Sequence, residues 1–187
     1  MPIIPVLKLG LWNAWIFMSV FLLQMLTILF ADKHVWERSH IPSEARQNTL
    51  EHYASIIGNI IWFIAMVYSV FLPLQLNTIW FYIGIFIFII GLIIIGIATF
   101  NFISTPADQL ITKGAYRFSR HPIYLASILI CLGTGIASIS WLFIFFSVIM
   151  GFCFHKEALI EERYCLRKYD TSYQKYMNNV PRWLGIL

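Results

Sequence analysis

The chain has 187 residues, of which 59% are hydrophobic and only 12% are charged, and its net charge is +4. A soluble domain is about one-quarter charged, so this composition excludes an ordinary soluble protein and indicates a single membrane domain over residues 1–187. The three cysteines, Cys131, Cys153 and Cys165, have neither CxxC nor metal-ligand spacing, so we expect free thiols and no metal site.

Uncharged apolar segments recur along the chain. The last of them, residues 122–154, would be about 50 Å long as one helix, which exceeds the ~30 Å hydrocarbon core of a bilayer. Its middle, CLGTGIASIS, contains Gly133 and Gly135, and such a stretch favours a tight turn between two short helices. The sequence therefore predicts an all-α integral membrane protein with five transmembrane helices, the last two forming a hairpin, and a cytoplasmic C-terminal helix. The predicted spans are residues 11–30, 53–72, 79–103, 122–135 and 138–154.

The charges test this span count. With five spans, twelve of the thirteen basic residues lie on one side of the membrane and Lys8 lies on the other. Four spans would divide the basic residues almost evenly. The positive-inside rule then places the C-terminus in the cytoplasm and the N-terminus outside. The predicted span interiors contain no ionisable residue, which argues against a pump or channel. The polar residues gather in 104–121 and 155–187, so we expect the functional site there.

Single residues at this site have ordinary structural explanations. Tyr116 suits a membrane interface, Arg117 and Arg120 suit lipid head groups, and His121 alone would most often be structural. Pro122 suits the first position of a helix. On α-helical spacing, Glu157 and Glu161 share one face of the tail, which alone would indicate a solvated acidic surface.

The combination is more specific than its parts. LITKGAYRFSRHPIYLA, followed about forty residues later by EERYCLRKYDTSYQKYMNNVPRWLG, resembles the membrane methyltransferases related to isoprenylcysteine carboxyl methyltransferase and to phospholipid N-methyltransferases. The resemblance covers roughly residues 101–187 and is weak over the first two spans. The matching positions are Leu110, Gly114, Tyr116, Arg120, His121, Pro122, Tyr124, Glu161, Glu162, Tyr169, Tyr173, Tyr176, Val180, Pro181 and Arg182.

The resemblance implies an S-adenosylmethionine site, with S-adenosylhomocysteine as the product. Asp108, Gln109, Leu110 and Ile111 would line the adenosine. Gly114 and Tyr116 would shape the loop against the cofactor, and His121, Pro122, Ile123 and Tyr124 would hold its methionine end. Glu161 would meet the ammonium, with Glu162 beside it. Arg120 is the expected catalytic residue, because a guanidinium pairs bidentately with an anionic acceptor, and Arg182 is a second candidate.

The acceptor would be a lipidated or lipid-like molecule in the bilayer, and nucleic acid is not an expected partner. The resemblance favours isoprenylcysteine carboxyl O-methylation, with phospholipid amine N-methylation as the alternative. Prenylcysteine enzymes carry an Arg where this chain has Glu157, and that carboxylate would repel a carboxylate substrate. Two further departures are Cys165, where Leu is usual, and Asp170, where Gly is usual.

Two other functions fit parts of the pattern. Some membrane sterol reductases that use NADPH resemble the C-terminal motif, and Lys113 and Arg117 could serve a 2′-phosphate. A non-enzymatic protein that binds anionic lipids would explain the charge asymmetry. It would not explain the joint arrangement of the Arg-His-Pro motif and the glutamate pair. The sequence does not predict an oligomeric state.

Overall fold

The computed structural model describes residues 6–31, 33–39, 42, 45–46, 48–106 and 108–185, with the backbone alone at 34 and 37. These residues form six α-helices and a short 3₁₀ turn, with no β-strand among them. The prediction of an all-helical fold is confirmed. In chain order the helices are α1 (Trp15–Leu29), α2 (Lys33–Ser39), α3 (Thr49–Phe71), α4 (Ile79–Ser104), α5 (Pro122–Ala137) and α6 (Trp141–Asn179), and the 3₁₀ turn is Gly114–Arg117.

The long helices begin at polar caps that lie between apolar runs. Asn48 accepts a hydrogen bond from the backbone N–H of Glu51 at the start of α3, over 2.9 Å. Thr78 and Ser140 cap α4 and α6 in the same way. Each cap satisfies one of the N–H groups that a helix leaves without an intrahelical partner.

Three of the described helices, α3, α4 and α6, are long and apolar enough to cross a membrane. α1 and α5 are apolar but shorter, with 15 and 16 residues. The chain is therefore an integral membrane protein by the length and composition of its helices.

The turn between the last two apolar helices lies later than we predicted. α5 continues to Ala137, so Gly133 and Gly135 lie inside the helix, and the turn is Ser138–Ser140 with Ile139 at φ 51°. Gly133 serves close packing instead: a Cβ there would lie 2.7 Å from the backbone oxygen of Gly84 on α4. The glycine signal was read as a break in the helix, whereas Gly133 permits backbone contact with α4 and Gly135 permits close packing against Ile144 of α6.

The predicted C-terminal helix is not a separate element. α6 has 39 residues, and the part before its kink, residues 141–169, is about 44 Å long, which exceeds the ~30 Å hydrocarbon core. Its charged half, from His155 onward, therefore extends beyond the membrane. The helix kinks at Asp170, where φ is 43° and ψ is −123°. A kink forms at this position although Asp170 occupies the place where the resembling family has Gly.

The apolar core lies among α1, α3, α4, α5 and α6. Phe17 of α1 stacks on Phe88 of α4 with ring centroids 4.1 Å apart. α3 approaches α6 closely at Gly58, where an added Cβ would lie 3.1 Å from Cβ of Cys153. This packing fixes the start of α5 and the start of α3 against the same helix, α6.

Candidate active site

His121 lies at the start of α5, between two glutamates of α6. Its Nδ1 is 3.1 Å from Oε2 of Glu161, and its Nε2 is 3.2 Å from Oε1 of Glu162. The residue is only 6% exposed. Burial alone would lower the pKa of His121, but the hydrogen bonds to both glutamates outweigh burial and raise it above 6.5. The imidazolium form can donate to both carboxylates at once.

Glu162 is the buried ionic centre of the site. Arg182 donates to both of its oxygens, from Nε over 2.9 Å and from Nη2 over 2.7 Å. Nε of Arg120 is 3.1 Å from Oε1, and the Glu162 side chain is 4% exposed. Burial would raise the pKa of Glu162, but hydrogen bonds from His121 and Arg182 lower it to about 2. Glu162 therefore joins α6 to the start of α5 and to the C-terminal segment.

Glu161 differs from its neighbour in exposure. Its side chain is 31% exposed, although His121 and the hydroxyl of Tyr124 both donate to it. The rings of His121 and Tyr124 are stacked, with centroids 5.7 Å apart. Of the two adjacent glutamates, Glu161 is thus the one that is oriented by protein donors and still accessible to a ligand.

The loop before α5 is anchored by Asn101 of α4. Gly114 has φ +60°, and a Cβ there would lie 2.0 Å from Oδ1 of Asn101. That oxygen accepts from the backbone N–H of Ala115 over 3.1 Å. Tyr116 is buried against Ala98, and its carbonyl accepts from the hydroxyl of Tyr176 over 2.6 Å. The lone amide at Asn101 therefore shapes the Gly114 turn.

A second anchor holds the start of this loop. Arg38 donates to the carbonyl oxygens of Thr105 and Gln109, each over 3.0 Å. The sequence did not indicate a role for Arg38, because no local pattern links α2 to Thr105 or Gln109. Asp108 and Gln109 are exposed, and Arg38 fixes the backbone on which they lie.

The remaining predicted cofactor residues pack in apolar clusters beside the ionic centre. Leu110 contacts the cluster of Tyr173, Tyr176 and Val180. Ile111 and Ile123 both contact the cluster that contains Tyr116. Pro122 is the fully buried first residue of α5.

Arg120 makes contacts within the protein. Its Nη1 donates to the carbonyl of Met177 over 3.0 Å, and its backbone N–H donates to the carbonyl of Pro181 over 2.9 Å. The side chain is 10% exposed. An anionic acceptor would have to share this guanidinium with Glu162.

The structure brings His121, Tyr124, Glu161, Glu162 and Arg120 together at one point, where α5 begins beside α6. Around them, Phe154 stacks on Tyr124 at 4.7 Å, and Trp183 lies 6.2 Å from the His121 ring. Of the predicted loop residues, Leu110 and Ile111 contact neighbouring apolar clusters, and Gln109 is held by Arg38. The arrangement offers one partly exposed carboxylate, Glu161, beside a group of aromatic rings.

A family model described as phospholipid methyltransferase matches residues 56–172. The matched region begins in α3 and includes the loop before α5, the His121 position and both glutamates. It ends before Tyr173, so Arg182 lies outside it. No curated protein matches the sequence.

Proposed function

The chain belongs to the phospholipid methyltransferase family, and on that basis we propose that it transfers a methyl group from S-adenosylmethionine to a lipid-like acceptor. The observation that carries this proposal is the contact of His121 and Tyr124 with Glu161, which keeps 31% of its side chain exposed. An oriented, accessible carboxylate is suited to an ammonium group.

The chemistry of the available groups fits the methionine end of the cofactor. Glu161 would bind the ammonium. Both ring nitrogens of His121 contact glutamates, so His121 would position Glu161. The carboxylate of the cofactor's methionine end would bind at the start of α5, where no described side chain caps the helix. The first-turn N–H groups there, such as those of Ile123 and Tyr124, lack intrahelical partners.

The adenosine end would lie against the loop before α5. Asp108, Gln109, Leu110 and Ile111 would line it, with Gly114 and Tyr116 shaping the loop beside it, as the family resemblance implies. Arg38 and Asn101 hold both ends of this loop, so the lining would be formed before a ligand arrives. Such preorganisation lowers the entropic cost of binding.

When bound, the cofactor supplies an electrophilic methyl group on a sulfonium. The protein's task is then to align the acceptor and to exclude water, rather than to provide strong acid–base catalysis. Phe154 stacks on Tyr124 and Trp183 lies beside His121, and these aromatic rings would limit the access of water. Arg120 would hold an anionic acceptor. Alternatively, through its contacts with Glu162 and Met177, it would position the parts of α6 that bind the acceptor.

Two acceptor chemistries follow from the residues. Carboxyl O-methylation of an isoprenylcysteine is favoured by the motif. Amine N-methylation of a phospholipid is favoured by Glu157, one helical turn before Glu161, because a carboxylate attracts an ammonium and repels a carboxylate. We propose the same membrane orientation for both: five spans, the N-terminus outside, and the site on the cytoplasmic side.

Titration calorimetry of the purified protein in detergent tests this function. We expect S-adenosylhomocysteine to bind, and Glu161→Gln to weaken binding about tenfold or more, because a hydrogen bond to a charged group contributes roughly 1.5–3 kcal/mol. Arg167→Gln, at an exposed position of α6, is the matched control. Absence of binding by the wild-type protein, or displacement of the ligand by NADPH, would exclude the proposed function.

A further inference from the structure

A second histidine, His155, lies beside the candidate active site and outside its ionic centre. It follows Phe154, whose ring stacks on Tyr124 at 4.7 Å, and its own ring lies 6.3 Å from that of Trp183. The ring of Trp183 in turn lies 6.2 Å from that of His121. His155 therefore belongs to the same group of aromatic rings as the residues proposed to position the cofactor.

The two histidines differ in what contacts their rings. Both ring nitrogens of His121 contact glutamate oxygens of α6. His155 is half-buried, and no described residue forms a hydrogen bond or an ion pair with its ring. The nitrogens of the His155 ring are therefore available to a ligand, whereas those of His121 are already occupied.

The charged groups that act on His155 come from α6 and from the C-terminal segment. Burial and the cations Arg182 and Lys156 lower the pKa of His155 below 6.5, and Glu162 opposes them. At His121, burial is outweighed by hydrogen bonds to two glutamates, which raise its pKa above 6.5. Environments that push two pKa values apart in this way are typical of a site with one fixed charge and one proton acceptor.

His155 also lies at the level of the membrane surface. It is the first residue of α6 after an uncharged apolar run, residues 141–154. It precedes Glu162 by two helical turns, about 10 Å along the axis, on the same face of the helix. A lipid acceptor that enters from the bilayer would therefore bring its head group to the level of His155.

An amine acceptor needs a proton acceptor at this level, and a carboxylate acceptor does not. A lipid ammonium has no lone pair on its nitrogen until one N–H bond breaks, whereas a carboxylate already has one on oxygen. The nearby glutamates are otherwise engaged, since Glu161 is proposed to bind the cofactor's ammonium and Glu157 lies 3.6 Å from Arg46. The neutral ring of His155 is the group that fits the task.

We propose that His155 accepts the proton that an amine acceptor must lose before it is methylated. One N–H bond of the acceptor's ammonium breaks, and its proton passes to a ring nitrogen of His155 while the electron pair stays on the amine nitrogen. That pair forms the new N–C bond as the bond between the methyl carbon and sulfur breaks, so the sulfonium becomes a neutral thioether. The imidazolium, beside Arg182, then releases its proton to water. This inference rests on the proposed function and commits the acceptor to a lipid amine.

Methyl transfer to two short-chain acceptors by the full-length protein in detergent tests the proposal. Dihexanoylphosphatidylethanolamine presents an ammonium, and N-acetyl-S-decylcysteine presents a carboxylate and no amine. We expect the wild type to methylate the amine, and His155→Gln to lower kcat for it about a hundredfold with KM changed less than about threefold. Methylation of the carboxylate, where it occurs, should change less than about threefold. His52→Gln, at an exposed position of α3, is the matched control and should behave as the wild type does.

The pH profile distinguishes a proton acceptor from a structural residue. In the wild type, kcat for the amine should fall as the pH decreases through the pKa of His155, because a protonated imidazole cannot accept a second proton. In His155→Gln that step should be absent. A residue with a structural role alone would change the rate and leave the step in place.

Nuclear magnetic resonance gives a readout that does not depend on methyl transfer. The ring signals of His155, assigned by their loss in His155→Gln, should titrate with a midpoint below 6.5. With S-adenosylhomocysteine present at pH 7, they should shift on addition of dihexanoylphosphatidylethanolamine. They should not shift on addition of dihexanoylphosphatidylglycerol, which has no amine.

The inference and the proposed function fail differently. The role of His155 is overturned by equal kcat in wild type and His155→Gln, by ring signals that ignore the amine, or by a titration midpoint above 6.5. It is also overturned if a protein that binds S-adenosylhomocysteine does not methylate the amine, whether or not it methylates the carboxylate. Wild-type protein that binds no S-adenosylhomocysteine overturns the proposed function itself.

Discussion

Replacement of Glu162 with glutamine tests the ionic centre of the site. The side chain is 4% exposed, and its pKa falls from 4.5 to about 2. At about 1.4 kcal/mol per pKa unit, the charged form contributes about 3 kcal/mol to stability at neutral pH. Removing one partner of a buried ion pair lowers stability by a similar amount, about 3–5 kcal/mol, because the remaining charges stay buried without compensation. Here those partners are Arg182, Arg120 and His121.

The assay is thermal unfolding in detergent at several pH values. At pH 7 we expect Glu162→Gln to lower the melting temperature by about 6–12 °C, at roughly 2–4 °C per kcal/mol for a chain of this size. Because the folded pKa of Glu162 is depressed, its contribution is present above pH 4.5 and is lost as the pH falls toward 2. The difference in melting temperature between the wild type and Glu162→Gln should therefore become smaller as the pH falls from 4.5 toward 2.

Glu161→Gln is the matched comparison, since the two glutamates are adjacent and differ in exposure, 31% against 4%. We expect a smaller change in melting temperature from Glu161→Gln, because a partly exposed carboxylate is screened by solvent. Equal losses from both variants would refute the reasoning, as would a Glu162→Gln protein that melts with the wild type at pH 7.

Three further predictions concern backbone geometry and protonation. Gly114→Ala should lower the free energy of unfolding by about 2 kcal/mol or more, because the backbone is left-handed there and the new Cβ would clash with Asn101. Gly96→Ala, with open space around its Cβ, is the control and should not destabilise the protein. Melting curves of the two variants test this difference. Asp170→Gly should raise stability by about 1 kcal/mol, because glycine adopts the φ of 43° without strain; a lower melting temperature would show that Asp170 is not strained. NMR titration should give His121 a pKa above 6.5, so its contribution to stability is complete below pH 6.5 and is lost as the pH rises through the folded pKa; a midpoint below 6.5 would contradict the contacts with both glutamates.

Local patterns in the sequence were enough to predict the apolar helices, whereas the grouping of His121, Tyr124 and the glutamates was predicted from the family resemblance. Apolar runs and polar caps define α3, α4 and α6, and the spacing of His121, Tyr124 and the glutamates is set by two helices that meet once. The turn after α5 was placed wrongly because a glycine pair has two uses, and close packing against Gly84 of α4 is visible only in three dimensions. Periodicity cannot distinguish a helix break from a helix–helix contact.

Contacts between distant segments account for what the sequence did not predict. Arg38 donates to the backbone of Thr105, 67 positions further along the chain, and Arg46 contacts Glu157 across the start of α3. The acceptor-binding role of Arg120 stays a prediction, and the contact of its guanidinium with Glu162 was not foreseen from the sequence. A charged residue's partner depends on tertiary packing, so residue type and spacing alone could identify these side chains but not their contacts.

Calorimetric titration of S-adenosylhomocysteine into wild-type and Glu161→Gln protein is the most direct test of the account. The account predicts a saturable site in the wild type and at least about tenfold weaker binding in the variant, while Arg167→Gln binds as the wild type does. No binding by a folded wild-type protein, or equal affinity in wild type and Glu161→Gln, would contradict it.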